Sequence, residues 1–193
     1  MQRRRLLMLV AACGLPAGVT AFAAPSGDKG LWQGLRRGGH ILLVRHAATD
    51  PGIGDPPGFV LDQCRTQRNL SARGRRDARA LGAAVRAHGV PVGRVWSSRW
   101  CRCLDTARLA FGQAEPEPLL DSLFQRDADH VRTTTDALRA RLAALDQGSN
   151  SVLVTHDINI RALVDESVAF GEVLALRATG GSLEVLGHLW RPG

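Results

Sequence analysis

Gly39-His40-Ile41-Leu42-Leu43-Val44-Arg45-His46 is the stretch on which the fold turns. Four apolar residues follow one another without alternation, which reads as a strand buried on both faces, and the run ends abruptly in a cation and an imidazole. A strand covered on both sides needs partners above and below it. Two later stretches repeat the pattern. Val92 to Trp96 reads as a second short strand ending in Ser97-Ser98, and Val152-Leu153-Val154 as a third ending in Thr155-His156-Asp157.

Helical patterns separate these strands. Ser71 is placed to cap a helix carrying Ala78, Leu81 and Val85 on one face and stopped by Gly89. Ser98 is placed to cap another from about Arg99 to Phe111. Val131, Thr135, Leu138, Leu142 and Leu145 form the best helical stripe, ended by Gly148, and a further helix runs from about Ile158 to Val168. Val173 to Ala178 and Leu183 to Leu189, joined through Gly180-Gly181, read as a closing hairpin. The segment Asp50 to Gly58, dense in Pro and Gly, reads as loop, and Pro25 to Gly30 as a flexible start. Alternating strands and helices predict a single α/β domain with a mostly parallel sheet.

The composition fits one such domain: 193 residues, 45% hydrophobic, 22% charged and 5% aromatic. Residues 1–23 read as a signal peptide, with Arg3-Arg4-Arg5, an apolar run from Leu6 and small residues at Ala21-Phe22-Ala23. Residues 24–38 form a lead-in, and 39–193 the folded domain. The formal charge of +7 shrinks with the leader, whose loss leaves 22 basic against 18 acidic groups. The remaining Arg are interleaved with acids and small residues, without the basic stripe and stacking aromatics of a nucleic-acid surface. No apolar run in the mature chain reaches the ~20 residues a spanning helix needs. A periplasmic or secreted protein is expected, with lipid anchoring at Cys13, in a lipobox-like Val10-Ala11-Ala12-Cys13, as the alternative.

Export makes Cys64, Cys101 and Cys103 informative, because disulfides persist in oxidising compartments. On one helix Cys101 and Cys103 would point about 200° apart, so at most one of them pairs with Cys64. Three buried thiols are the other reading, and three Cys without His at ligand spacing argue against zinc.

In open α/β sheets, ligands bind outside the carboxyl ends of the strands. Here those ends carry Arg45-His46, Ser98 with Arg102 one turn on, and Thr155-His156-Asp157. Two guanidiniums and two imidazoles suit phosphoryl transfer. Arg holds phosphate oxygens in bidentate fashion, one imidazole attacks phosphorus, and the other groups stabilise the transferring charge. These groups supply the positive charge without a metal or cofactor, and no carboxylate cluster is spaced to hold a metal.

Four ordered motifs then carry a resemblance. Leu43-Val44-Arg45-His46-Ala47-Ala48-Thr49, Asn69-Leu70-Ser71-x-x-Gly74, Val95-Trp96-Ser97-Ser98-x-x-x-Arg102-x-x-x-Thr106-Ala107 and Val152-Leu153-Val154-Thr155-His156 are similar to those of the histidine phosphatase superfamily, in the same order. The resemblance spans about Gly39 to Leu163. It implies a three-layer α/β/α sandwich, with His46 as the phosphorylated nucleophile and Arg45, Arg102 and His156 as the rest of the phosphate pocket. Ser98 and Thr49 join them as substrate-binding candidates. The general acid is Asp157, by resemblance to one branch, or Asp121, by resemblance to the other. Ala47 stands where relatives carry Gly, and Arg99, where they often carry Pro, places an extra charge toward the pocket. His130, Arg65 and Arg68 are rim candidates. The implied activity is that of an exported, metal-independent phosphomonoesterase acting on a small or surface-presented phosphorylated sugar or glycan, with a phosphomutase or a phosphate-binding module as alternatives.

Overall fold

The computed structural model describes residues 28–145 and 148–192, so the leader and Cys13 lie outside the described residues. Six strands form one sheet in the order β3-β2-β4-β1-β5-β6. They are β1 (Ile41–Arg45), β2 (Val92–Ser97), β3 (Glu115–Pro116), β4 (Asn150–Thr155), β5 (Val173–Thr179) and β6 (Ser182–Trp190). The β1–β4, β2–β4 and β2–β3 pairs are parallel, while β5 runs antiparallel to both β1 and β6. The helices are α1 (Asp28–Leu35), α2 (Ala72–Ala87), α3 (Cys101–Phe111), α4 (Ala128–Ala143) and α5 (Asp157–Val164).

Alternate residues of the central strands feed two separate cores. Leu42, Val44, Val95, Val152 and Val154 pack with Trp32 and Leu35 of α1, Leu81 and Val85 of α2, and Cys103 and Ala107 of α3. Ile41, Leu43, Trp96 and Leu153 pack with Leu138 and Leu142 of α4 and Ile160 and Leu163 of α5. Both sheet faces are therefore covered, giving the three layers and explaining why the strands are apolar without alternation. The lead-in differs from the expected flexible start: it is helical from Asp28, and its Trp32 and Leu35 are buried.

Several boundaries also move. The third helix begins at Cys101 with Trp100 as its cap residue, not near Arg99 under Ser98. The fifth ends at Val164, four residues early, because Asp165 turns left-handed at φ 58°. The closing hairpin turns at Gly180 and Gly181, both with positive φ, the conformation that a two-residue turn between right-twisted strands requires. Cys64 is bonded to Cys101 across 5.6 Å between their Cα atoms, and Cys103 is a buried free thiol. No helix among the described residues is long and apolar enough to cross a membrane.

Candidate active site

Parallel pairing aligns the ends of β1, β2 and β4 along one sheet edge, with Arg45 opposite Thr155 and Ser97 opposite Val154. The ladder continues one residue past each strand. His46 N–H donates to the Thr155 carbonyl at 2.9 Å, and Ser98 N–H to the Val154 carbonyl at 2.9 Å. Register alone thus brings residues 46, 98 and 156 side by side. The His46 and His156 rings lie 5.4 Å apart, edge to face.

Local hydrogen bonds fix the His46 backbone. Ala47 N–H donates to Thr106 Oγ1 at 3.0 Å, and that hydroxyl donates to the Arg102 carbonyl at 2.7 Å. Ser71 donates its N–H and its hydroxyl to the Ala48 carbonyl and accepts from Gly74 N–H. A Cβ on Gly74 would stand 1.9 Å from the Ala48 oxygen, so only glycine lets α2 approach this closely. The Ser71-x-x-Gly74 and Thr106-Ala107 motifs are the clamps on the segment after His46. Ala47 is accommodated because its φ is not positive; among the described non-glycine residues only Gln125 and Asp165 have that conformation.

His46 Nδ1 lies 2.9 Å from the Ala47 carbonyl, an acceptor only, so the ring proton sits on Nδ1 and the lone pair on Nε2. Burial, and then the nearby Arg102 and Arg45 guanidiniums, push its pKa down to about 3. The ring is neutral, as a nucleophile must be. His156 is likewise driven well below its ordinary value, by burial first and then by His46 and the arginines. Its Nε2 is 2.9 Å from Ser98 Oγ and 3.6 Å from the Cys103 thiol, which burial pushes up to about 12. Ser98 Oγ also accepts from Trp100 N–H, and where its hydroxyl donates to Nε2 the His156 proton sits on Nδ1. Ser98 is a positioning residue and lies outside the cavity lining, in contrast to the expected substrate contact.

The guanidiniums line a cavity of about 790 Å3 together with both imidazoles. Arg45 donates to the Val168 carbonyl at 2.6 Å and lies 3.8 Å above the Phe170 ring. Arg102 forms a 2.7 Å ion pair with Asp55, the two side chains being 5% and 6% exposed. Asp55 also accepts from Arg68 N–H and Trp100 Nε1. Burial alone would raise the Asp55 carboxyl; these donors outweigh it and hold the group below the usual carboxylate range. Arg68, expected only at the rim or in an exposed loop, lines the cavity too. The Nε atoms of Arg45, Arg68 and Arg102 are all buried and meet no acceptor in the protein. Three arginine side chains and two neutral imidazoles lining one cavity are a set with the chemistry to hold a tetrahedral oxyanion.

Other candidates fall elsewhere. Thr49 is absent from the cavity lining, because its backbone turns away to bridge Leu70. Asp121 is held by the backbone N–H and guanidinium of Arg99, and both residues face a neighbouring cavity with His130. The pairing consumes the charge expected of Arg99 and commits the Asp121 carboxylate, which is not in the lining of the His46 cavity. Arg65 bonds to Gln63 in an exposed loop. Asp157 does line the site, but it is the first residue of α5 and not its cap. Its oxygens accept from Ser167 Oγ and Val168 N–H, at 3.8 Å from Arg45 and 3.7 Å from Arg161. Asp55, Trp100 and Phe170 were not legible as site residues: each is placed by long-range contacts that leave no local pattern. Among the described residues no group of His, Cys, Asp or Glu is gathered as metal ligands.

Comparison with known proteins agrees with this geometry. Residues 41–125 match the model of the histidine phosphatase superfamily (branch 1), a span that includes Arg45, His46 and Arg102. No curated protein matches the sequence. Among solved structures, the open reading frame Rv3214 product of Mycobacterium tuberculosis superposes with a TM-score of 0.62 at 16% identity, over 77% of this chain and 96% of that one. The protein histidine phosphatase SixA complexed with tungstate gives 0.55 at 14% identity, over 77% and 95%. A phosphoserine phosphatase of Entamoeba histolytica in complex with 3-phosphoglyceric acid gives 0.58 at 13% identity, over 79% and 97%. At these identities the likeness is one of fold. Ordered motifs, sheet topology and the match over residues 41–125 make this chain similar to the histidine phosphatase superfamily.

Proposed function

We propose that the protein is a phosphomonoesterase that works through a phosphohistidine on His46 and acts outside the cytoplasm. The observation that carries the reading is the buried, neutral His46, its Nδ1 tied to Ala47 O, in a cavity that Arg45, Arg68 and Arg102 line beside it. That one of the similar structures holds tungstate, a tetrahedral oxyanion, supports an anion in the same fold. Export rests on the leader-like residues 1–23.

In the first step the Nε2 lone pair attacks phosphorus, forming the N–P bond as the ester P–O bond breaks. The departing oxygen takes a proton from Asp157, one of two carboxyl groups lining the cavity. Asp55, the other, is committed to Arg102. Arg45, Arg68, Arg102 and the His156 Nδ1–H hold the three equatorial oxygens through the transfer. Water then attacks phosphorus, giving its proton to Asp157; the N–P bond breaks, inorganic phosphate leaves and His46 is restored. A phosphomutase would instead return the phosphoryl group to an alcohol, which product analysis in excess acceptor distinguishes.

The test is rapid quenching with a radiolabelled aryl phosphate. An acid-labile phosphoenzyme forms and is lost in His46→Ala, with hydrolysis reduced by about 10³-fold or more. Asp157→Asn slows alkyl phosphates far more than nitrophenyl phosphate, because a stable leaving group needs no proton. Full activity of His46→Ala would refute the covalent mechanism.

A further inference from the structure

The cavity has two chemistries. Its floor is cationic, but its mouth is apolar in a way that neither the core nor the phosphate accounts for. The large hydrophobic side chains exposed among the described residues are Ile53 at 93%, Phe124 at 50%, and Val60, Ile158 and Phe59 between 37% and 44%. Single exposed apolar residues are ordinary, but a gathered set marks a binding surface. Ile53, Phe59, Phe124 and Ile158 all line the same cavity as His46, and Val60 is the chain neighbour of Phe59.

These residues come from three unconnected segments: the loop after β1, the loop before α4, and α5. Each segment is anchored by bonds that leave its apolar residue outward. Asp55 pins the first loop to Arg102 and Trp100. Asn159 holds the second, accepting from Leu123 N–H and donating to the Asp121 carbonyl. Phe59 stands 5.8 Å from Trp100, and Phe170 lies 5.5 Å from the His46 ring, so apolar surface continues from the mouth to the nucleophile.

We infer that the substrate is a phosphate monoester whose alcohol carries a hydrocarbon chain, the phosphate seated on the arginines and the chain leaving along Phe170, Phe59, Phe124 and Ile53. This rests on the phosphatase reading above and replaces its expected sugar with a lipid-like group. Each methylene of a chain gains from leaving water against Ile53, Phe59, Phe124 and Ile158. Ser122, Gln125 and Arg126 also line the cavity, but a purely polar sugar leaves these four exposed apolar side chains unexplained.

The probes are phenyl phosphates with a para methyl, butyl or octyl group, whose phenols are nearly equally acidic, so that chain length varies alone. A para hydroxyalkyl compound of matched length is the polar control. The wild-type protein should show kcat/KM rising about two- to fourfold per methylene over the first few carbons, and the hydroxyalkyl compound should fall behind its alkyl counterpart. In Ile53→Ser/Ile158→Ser, at two exposed positions, the butyl-to-methyl ratio should shrink toward one; because both rates come from one preparation, poor folding cannot imitate this. Phosphatidic acid in phosphatidylcholine vesicles, set beside monomeric octylphenyl phosphate, separates the sources. Turnover of the vesicle lipid supports a membrane substrate, and turnover of the monomer alone supports a free amphiphile.

Equal kcat/KM across the series, or a ratio unchanged in the double variant, overturns the inference and leaves the phosphatase intact. A flat series with a wild-type dimer that the double variant splits in sedimentation assigns the mouth to a second copy and also overturns it. Failure of every phenyl phosphate, with no phosphoenzyme, removes the phosphatase reading and the inference together.

Discussion

The floor and the walls of the cavity are built in different ways. On the floor, Arg45, His46 and His156 sit at or just past the ends of adjacent parallel strands, and sheet register sets their spacing. The walls come from the 50–68 and 121–126 loops, held by side-chain attachments such as Asp55 to Arg102 and Trp100, Asn159 to Leu123, and the Cys64–Cys101 disulfide. Moving a floor residue means breaking a buried ladder; moving a wall means breaking a few side-chain bonds. A rigid reacting centre inside more adjustable walls is what a scaffold needs to keep one chemistry while varying its substrate.

The sharpest test of this contrast is the ion pair where floor and wall meet. Arg102→Ala should lower kcat by about 10²-fold, through loss of a guanidinium on the transferring group, and stability by about 3–5 kcal/mol, because Asp55 is left buried without its countercharge. Asp55→Asn should instead raise KM more than it lowers kcat, since it frees a wall and leaves the floor in place. Steady-state kinetics and urea unfolding of both variants read this out; an equal kcat loss in the two would erase the distinction.

A second test uses the covalent tie. Cys64 belongs to the wall and Cys101 to the start of α3, next to Arg102. Cys64→Ser should cost about 2–4 kcal/mol by releasing a 37-residue separation in the unfolded chain, with hydrogen exchange rising in the 50–68 loop and little in β1 or β4. Uniform exchange across both regions would show that floor and wall open as one unit.

The smallest effect belongs to the floor alone. His46 titrates near 3 when folded and near 6.5 when unfolded, and His156 is displaced in the same direction. Between those limits the unfolded chain binds more protons, so stability falls as pH drops below about 6.5 and the loss continues toward pH 3. For His46 this amounts to about 2 kcal/mol between pH 6.5 and pH 5. Urea midpoints at pH 7 and pH 5 should show it in the wild type and a shallower dependence in His46→Ala.

The same division governs what could be read in the chain. Ile41–Val44 and Val152–Val154 announce themselves by uninterrupted apolar character, and the polar residues that follow must then lie at the sheet edge. Ser71 and Gly74 are recognisable because a cap and a close helix contact impose residue types at fixed spacing. Nothing comparable marks Asp55, 47 positions before the Arg102 it neutralises. That Ser98, which bonds to His156, and Thr49, which bridges Leu70, lie outside the cavity lining is illegible for a related reason: sequence places a hydroxyl near a strand end but does not say which way it faces.

By itself, then, the chain determined the α/β order, the two-sided burial of its central strands, and the pair of imidazoles and arginines at one sheet edge. All of these follow from periodicity, capping and strand ends, which act over a few residues. Tertiary structure alone chose Cys101 over Cys103 as the partner of Cys64, committed Asp121 to Arg99, brought Arg68 in, and gathered the apolar mouth. These outcomes depend on which distant loops meet, and loop meetings are decided by three-dimensional packing and buried polar pairing, for which no local spacing exists.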